Sequence, residues 1–257
     1  PFKILKDRLA EIINEHDDLC SIIAFTGTGS KWASELLNGI AVNEVVAQSK
    51  AVMELYPDVR TVIEMGGEDS KLIFLDKSEV KEGMKLTDFT MNSLCAAGTG
   101  SFLDQQAKRI GISIENEFGK LALKSVKPPR IAGRCSVFAK SDMIHLQQIA
   151  TPVYDIIAGL CFAVARNFKS TLGKGKPLVK PILFQGGVAA NEGMIRAFTE
   201  IYDLKPKELI IPKYHASMGA IGAVLFALET ISISDGEISL QKLEEYLKRG
   251  FNSSASL

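Results

Sequence analysis

Apolar positions recur along this chain with two different periods, and the switches between them outline most of its elements. Leu5, Leu9, Ile12 and Ile13 share one face of a helix predicted over 2–16, and Cys20 to Phe25 is a short run suited to a buried strand. After the Thr26-Gly27-Thr28-Gly29-Ser30 turn, Trp32, Leu36 and Leu37 mark another helix; Val45, Val46, Ser49, Val52, Met53 and Tyr56 outline the next, which closes at Pro57-Asp58. Thr61 to Leu75 reads as strand, tight turn and strand, because β-branched and apolar residues flank Gly66-Gly67-Glu68-Asp69. Helical spacing returns at Phe102, Leu103, Ala107 and Ile110 until Gly111 stops it. Further helices are predicted over 114–125, 136–149 and 153–172. Pro181 to Phe184 is a short buried strand that runs into a diglycine turn, with a helix through Met194, Ile195 and Phe198 behind it. Leu209 to Ile211 is a strand ended by Pro212, and Ser217 to Ala223 opens a helix whose glycine and alanine spacing allows close packing. A last short helix carries Leu240, Leu243, Tyr246 and Leu247, and a Ser-rich tail, expected to be mobile, follows from Asn252.

Composition narrows the class. The 257 residues are 46% hydrophobic, enough for a substantial core, and the 30 basic side chains equal the 30 acidic ones. There is no bulk electrostatic case for nucleic acid or an anionic membrane. No apolar run approaches the ~18 residues of a membrane span, and the start lacks a signal-peptide pattern, so the expected location is cytoplasmic. Cysteines at 20, 95, 135 and 161 are too few and scattered for a disulfide framework, so each is judged as core, reactive or ligand.

Four stretches carry candidate chemistry. Cys95 stands just before Gly98-Thr99-Gly100 and the helix behind them, where unpaired N–H groups and the helix dipole favour an ionised sulfur; the alternative is a small buried residue in a tight turn. Cys135, in Gly133-Arg134-Cys135, repeats the arrangement ahead of a second helix. With two such thiols per chain, a four-thiolate cluster requires two chains. Cys161, one turn after Ile157 on the face with Leu160 and Val164, reads as a packed core thiol, and Cys20 as a core residue too. At the first diglycine, Glu64, Glu68 and Asp69 crowd three acids into six positions; they form either a solvated hairpin tip or oxygen ligands through which Mg2+ would meet phosphate. The second, Gly186-Gly187, precedes Val188-Ala189-Ala190-Asn191 and a helix, which makes it a candidate nucleotide contact. The TGTGS turn lacks the P-loop lysine and reads as a plain connection, and His16, His145 and His215 share no ligand or triad spacing.

Three motifs in this order, IEMGGEDSK, then NSLCAAGTGSFLD with GRCSVFAKSD, then FQGGVAANEGM with SMGAIGAVLFA, resemble the BadF/BadG/BcrA/BcrD ATPase family, the activators of 2-hydroxyacyl-CoA dehydratases and of benzoyl-CoA reductase. The resemblance implies an α/β actin-like ATPase fold of the sugar kinase, Hsp70 and actin superfamily, in which two ribonuclease H-like lobes enclose ATP. On that reading 1–60 is the remainder of a first lobe that is incomplete here, 61–215 is the second lobe, and 216–257 is a returning helix and tail. The Gly66-Gly67 turn resembles the second phosphate loop, with Glu64 and Asp69 placed to order Mg2+ and the attacking water and Glu68 beside them. Gly186, Gly187 and Asn191 resemble the adenosine loop. Cys95 and Cys135 resemble the thiolates of a 4Fe-4S cluster shared with a second copy of the chain. The implied partner is a 2-hydroxyacyl-CoA dehydratase or related CoA-ester reductase component, which receives one electron in an ATP-dependent step.

Several positions depart from that pattern. The family's first phosphate loop, a DxGSTxxK hairpin, is absent, the chain opens on Pro1, and the expectation is a piece of a longer polypeptide with weak ATP binding and little turnover. Glu64 and Glu68 stand where many relatives carry Asp and Gln, and Lys140 where some carry an acid. Two other readings share the superfamily: a small-molecule kinase, which needs a catalytic acid and no cluster, and a non-catalytic nucleotide-binding module.

Overall fold

The computed structural model describes residues 2–15, 22–77, 83–92, 98–133, 135–230 and 245. Cys20 and Cys95 lie outside the described residues, as do the predicted C-terminal helix and tail. The chain divides into two compact units, Leu55–Met218 and a smaller one formed by Pro1–Glu54 with Gly219–Leu257.

The larger unit is built on a five-stranded sheet of β3 (Thr61–Met65), β4 (Ser70–Lys77), β5 (Met84–Asn92), β6 (Ile182–Gln185) and β7 (Leu209–Ile210), in the order β5-β4-β3-β6-β7. β3 pairs antiparallel with β4 and parallel with β6, so one central strand joins a hairpin to a parallel pair. Every residue of β3 and β6 is buried, as befits strands covered on both faces. The core over this sheet is carried by α7 (Val153–Thr171), where twelve residues from Ile156 to Phe168 are buried. α7 packs against α5 (Gly119–Leu123), α6 (Ser136–Gln148) and α8 (Glu192–Ile201), and α4 (Gly100–Ile110) closes the same layer with Phe102, Leu103 and Ala107. Phe168, Phe184 and Phe198 meet edge to face at 4.9–5.4 Å between centroids, which ties α7, β6 and α8 together.

In the larger unit two elements differ from the pattern reading. β5 escapes it because its apolar positions change phase: Met84 and Leu86 alternate, then Phe89 and Met91 alternate one position out of step. The register explains this, since Phe74 pairs with Asp88 while Leu75 pairs with Leu86, which leaves Thr87 as a bulge. The predicted single helix over 114–125 is instead a π-helical turn, Ile114–Phe118, followed by the short α5. Ser113 caps the turn by accepting from the Asn116 N–H, and the wide turn swings Phe118 into the core.

The smaller unit contains α1 (Phe2–Glu15), β1 (Ala24–Phe25), α2 (Ser30–Leu37), β2 (Ile40–Ala41), most of α3 (Glu44–Leu55) and α9 (Met218–Thr230). β1 and β2 form a two-stranded parallel sheet. Val42, Ala47 and Ala223 form its small core, on which Ala24, Ile40, Val46 and Phe226 pack. Among the described residues no helix is long and apolar enough to cross a membrane.

Candidate functional site

β3 and β6 run parallel, so their two diglycine turns leave the sheet at the same end. Gly66-Gly67-Glu68-Asp69 turns the chain back into β4, and the Gly66 N–H closes it by donating to the Asp69 carbonyl at 3.0 Å. The carbonyls of Gly66 and Gly67 then accept the N–H groups of Gly100 and Ser101, at 2.9 and 2.8 Å, from the start of α4. The first diglycine turn is thereby fastened to that helix. The first two amides of α4, read in the sequence as unpaired, are thus taken by the turn, while Cys95 lies outside the described residues.

The acids of the turn are drawn together by a residue that pattern reading passed over. Lys71 is almost fully buried, and its Nζ lies 3.0 Å from Glu64 Oε2 and 2.8 Å from Asp69 Oδ2. Glu64 and Lys71 are register partners across the β3–β4 hairpin, so the pair is set by strand pairing and becomes visible once the register is known. Glu64 is itself buried, whereas Glu68 at the tip is exposed. Glu64 and Asp69 offer carboxylate oxygens of the hard type that Mg2+ takes, and both are paired to the Lys71 ammonium.

The second turn is held differently. Gly186 adopts φ 93°, and a Cβ placed there would lie 2.2 Å from the Met65 carbonyl of β3, so both the conformation and the room demand glycine. Its N–H donates to the His215 carbonyl at 2.8 Å, and the His215 ring Nδ1 donates back to the Gly186 carbonyl at 2.9 Å. His215, unremarkable by its spacing, is thus a clamp on this turn. Gly187–Ala190 continues as a 3-10 turn, and Asn191 caps α8 by accepting from the N–H groups of Gly193 and Met194 at 3.0 and 3.2 Å.

Between these turns opens a cavity of about 430 Å³. Gly67, Gly100, Ser101 and Asp104 form one side, Ile114, Glu115, Gly119 and Lys120 a second, and Gly187, Val188, Asn191 and Glu192 a third. Its size suits a small-molecule ligand, and its walls are mostly apolar with a few charged groups at hand. Gly67, Gly187 and Asn191 line it, as does the amino end of α4 that the first turn fastens.

The two described cysteines have opposite surroundings. Cys135 is a free thiol, partly exposed at the N-cap of α6, where its carbonyl accepts the Ala139 N–H at 3.0 Å. Cys161 is sealed in the middle of α7, and burial pushes its thiol up to about 12, which keeps it protonated and inert. Cys135 therefore has the exposure and helix-start position a metal ligand needs, and Cys161 does not. Among the described residues, the accessible cysteine is the one in the GRCSVFAKSD motif.

Comparison with known proteins places this arrangement in a wider group. The model of the BadF/BadG/BcrA/BcrD ATPase family matches residues 3–227. A 2-hydroxyisocaproyl-CoA dehydratase activator of Clostridioides difficile is 35% identical over 198 residues, 77% of this chain and 70% of its own length. The solved structure of component A of (R)-2-hydroxyglutaryl-CoA dehydratase from Acidaminococcus fermentans superposes with a TM-score of 0.70 at 32% identity, over 78% of this chain and 73% of that one. The Clostridium difficile activator solved with bound ADPNP gives a TM-score of 0.75 at 29% identity, over 96% of this chain and 84% of that one. The fold is the α/β actin-like ATPase fold. With a match that spans most of its length, the chain belongs to the BadF/BadG/BcrA/BcrD ATPase family.

Proposed function

We propose that this chain is an ATP-dependent activator that passes one electron from a 4Fe-4S cluster to a 2-hydroxyacyl-CoA dehydratase or a related CoA-ester reductase, acting in the cytoplasm with a second copy of itself. The observation that carries the reading is the cavity of about 430 Å³ framed by both diglycine turns, in a chain whose relative was solved with ADPNP. Adenosine sits against Gly186-Gly187 and Asn191, and the phosphates meet Gly66-Gly67 and Glu68. Glu64 and Asp69 would hold Mg2+, which would neutralise phosphate charge there, and their carboxylates would orient the attacking water as its proton acceptors. Lys71 supports them by holding both carboxylates converged through its ion pairs.

Cys95 and Cys135 would be the cluster ligands, two from each chain, and the cluster would supply a one-electron carrier. The free, partly exposed thiol of Cys135 at a helix start supports this assignment, whereas Cys161 is excluded by its burial. Coupling between nucleotide and cluster is a free-energy linkage between two sites of one protein.

The test is anaerobic. Protein purified or reconstituted without oxygen is assayed for iron and sulfide, and for ATP-dependent reduction of a dehydratase component. About four irons per two chains, lost in Cys135→Ser and in Cys95→Ser but kept in Cys161→Ser, supports the reading. Absence of iron after reconstitution contradicts it and leaves a kinase or a nucleotide-binding module.

A further inference from the structure

The short segment ahead of Cys135 is fastened with more polar and steric precision than a connecting loop needs. Its central feature is one peptide group, that between Ile131 and Ala132. The N–H of Ala132 donates to Asp142 Oδ2 at 2.8 Å, and the carbonyl of Ile131 accepts from Arg166 Nη2 at 3.0 Å. Both ends of the same peptide unit are therefore held by charged side chains, in bonds roughly twice as strong as neutral ones. Asp142 reaches back from α6, two turns after Cys135, and Arg166 reaches across from α7.

The flanking residues are pressed onto α7 as well. A Cβ on Gly133 would lie 2.4 Å from the Ala163 carbonyl, and one on Gly159 would lie 2.8 Å from the Pro129 carbonyl and 3.0 Å from Ile131 Cδ1. Only glycine at 133 and 159 lets the segment lie in this groove, and Ile131 is buried beneath it. The result is a stretch seated along α7 by Gly159, Ala163 and Arg166 and tied to α6 by Asp142, three residues before the thiol.

We propose that this seat fixes Cys135 for its metal, and that Asp142 and Arg166 are positioning residues for the cluster; the inference rests on the cluster assignment made above. A thiolate on a loop is placed accurately only if its backbone is already held, and outer partners of this kind typically change metal retention by ~10-fold or more when removed. The seat explains why an acid and an arginine that bond one peptide group belong to the same local design. It also links the cluster edge to α7, whose other contacts reach α5 and α8 beside the nucleotide cavity.

The experiment compares Asp142→Ala, Asp142→Asn and Arg166→Met with the parent chain and with Cys135→Ser, all reconstituted anaerobically. The first readout is the rate at which a chelator bleaches the cluster absorbance; the second is the rate of Cys135 alkylation in cluster-free protein, followed by peptide mass spectrometry. Asp142→Ala and Arg166→Met are expected to lose the cluster ~10-fold faster. Asp142→Asn keeps an acceptor for the Ala132 N–H and is expected to retain it at nearly the parental rate. Cluster loss in both Asp142→Ala and Arg166→Met as slow as in the parent overturns the seat while leaving the assignment intact. Iron retained in Cys135→Ser overturns the assignment, and the alkylation rate then decides the seat alone: faster in Asp142→Ala and restored in Asp142→Asn supports it, unchanged refutes it.

Discussion

The two diglycine turns stand side by side at one end of the sheet, yet they are glycine for different reasons. At Gly186 the fold itself demands it, since the residue is left-handed and no atom fits between it and the Met65 carbonyl. At Gly67 and Gly187 the fold makes no such demand: a Cβ at Gly67 meets nothing closer than Ser101 Oγ at 3.9 Å, and one at Gly187 meets nothing within 4 Å. Both of these open positions line the cavity. Packing within the chain therefore does not require glycine at either of these wall positions.

The turns also differ in what holds them. The first is secured by charge, through Lys71 between Glu64 and Asp69, together with backbone bonds from α4, and the second by sterics and by His215. The largest effect should follow from removing that charge. Lys71→Met strips the ammonium from beside buried Glu64 and should cost about 4 kcal/mol of stability at neutral pH, read from the denaturant midpoint. A cost under ~1 kcal/mol would mean the hairpin register, and not the ion pair, holds the turn.

Gly186→Ala should come next, at about 3 kcal/mol, because the added methyl group must displace the β3 backbone and the left-handed φ is strained for alanine. His215→Ala removes one side-chain hydrogen bond from the same turn and should cost about 1 kcal/mol, with the backbone bond from Gly186 surviving. The smallest stability effect belongs to Gly67→Ala and Gly187→Ala, each within ~0.5 kcal/mol of the parent by thermal melt. These two should nonetheless weaken nucleotide binding, by about tenfold each, measured by competition between ADPNP and a fluorescent ATP analogue. If they destabilise as much as Gly186→Ala, the contrast between the turns is lost.

What could be read without coordinates follows the same division. The strands β3 and β6, the helices α4 and α7 and both diglycine turns declare themselves because their apolar spacing is regular and their stops are glycines. β5 does not, because the bulge at Thr87 breaks its alternation in half. Lys71 and His215 are invisible for another reason: each owes its role to a partner fixed by register or by tertiary contact, Glu64 across a hairpin and Gly186 across 29 positions. Asp142 and Arg166 belong with them, since nothing in their spacing announces that both grip one peptide group. Cys161 was legible as core from its helix face, and burial bears this out.

The central claim is that the cavity between the turns is a nucleotide site. It is tested most directly by photolabelling with 8-azido-ATP in the presence of Mg2+, followed by peptide mapping. The account predicts label within Ile114–Lys120 or Gly187–Glu192, suppressed by excess ADPNP and reduced in Gly187→Ala. Label that falls outside the cavity walls, or that excess ADPNP leaves untouched, would contradict it.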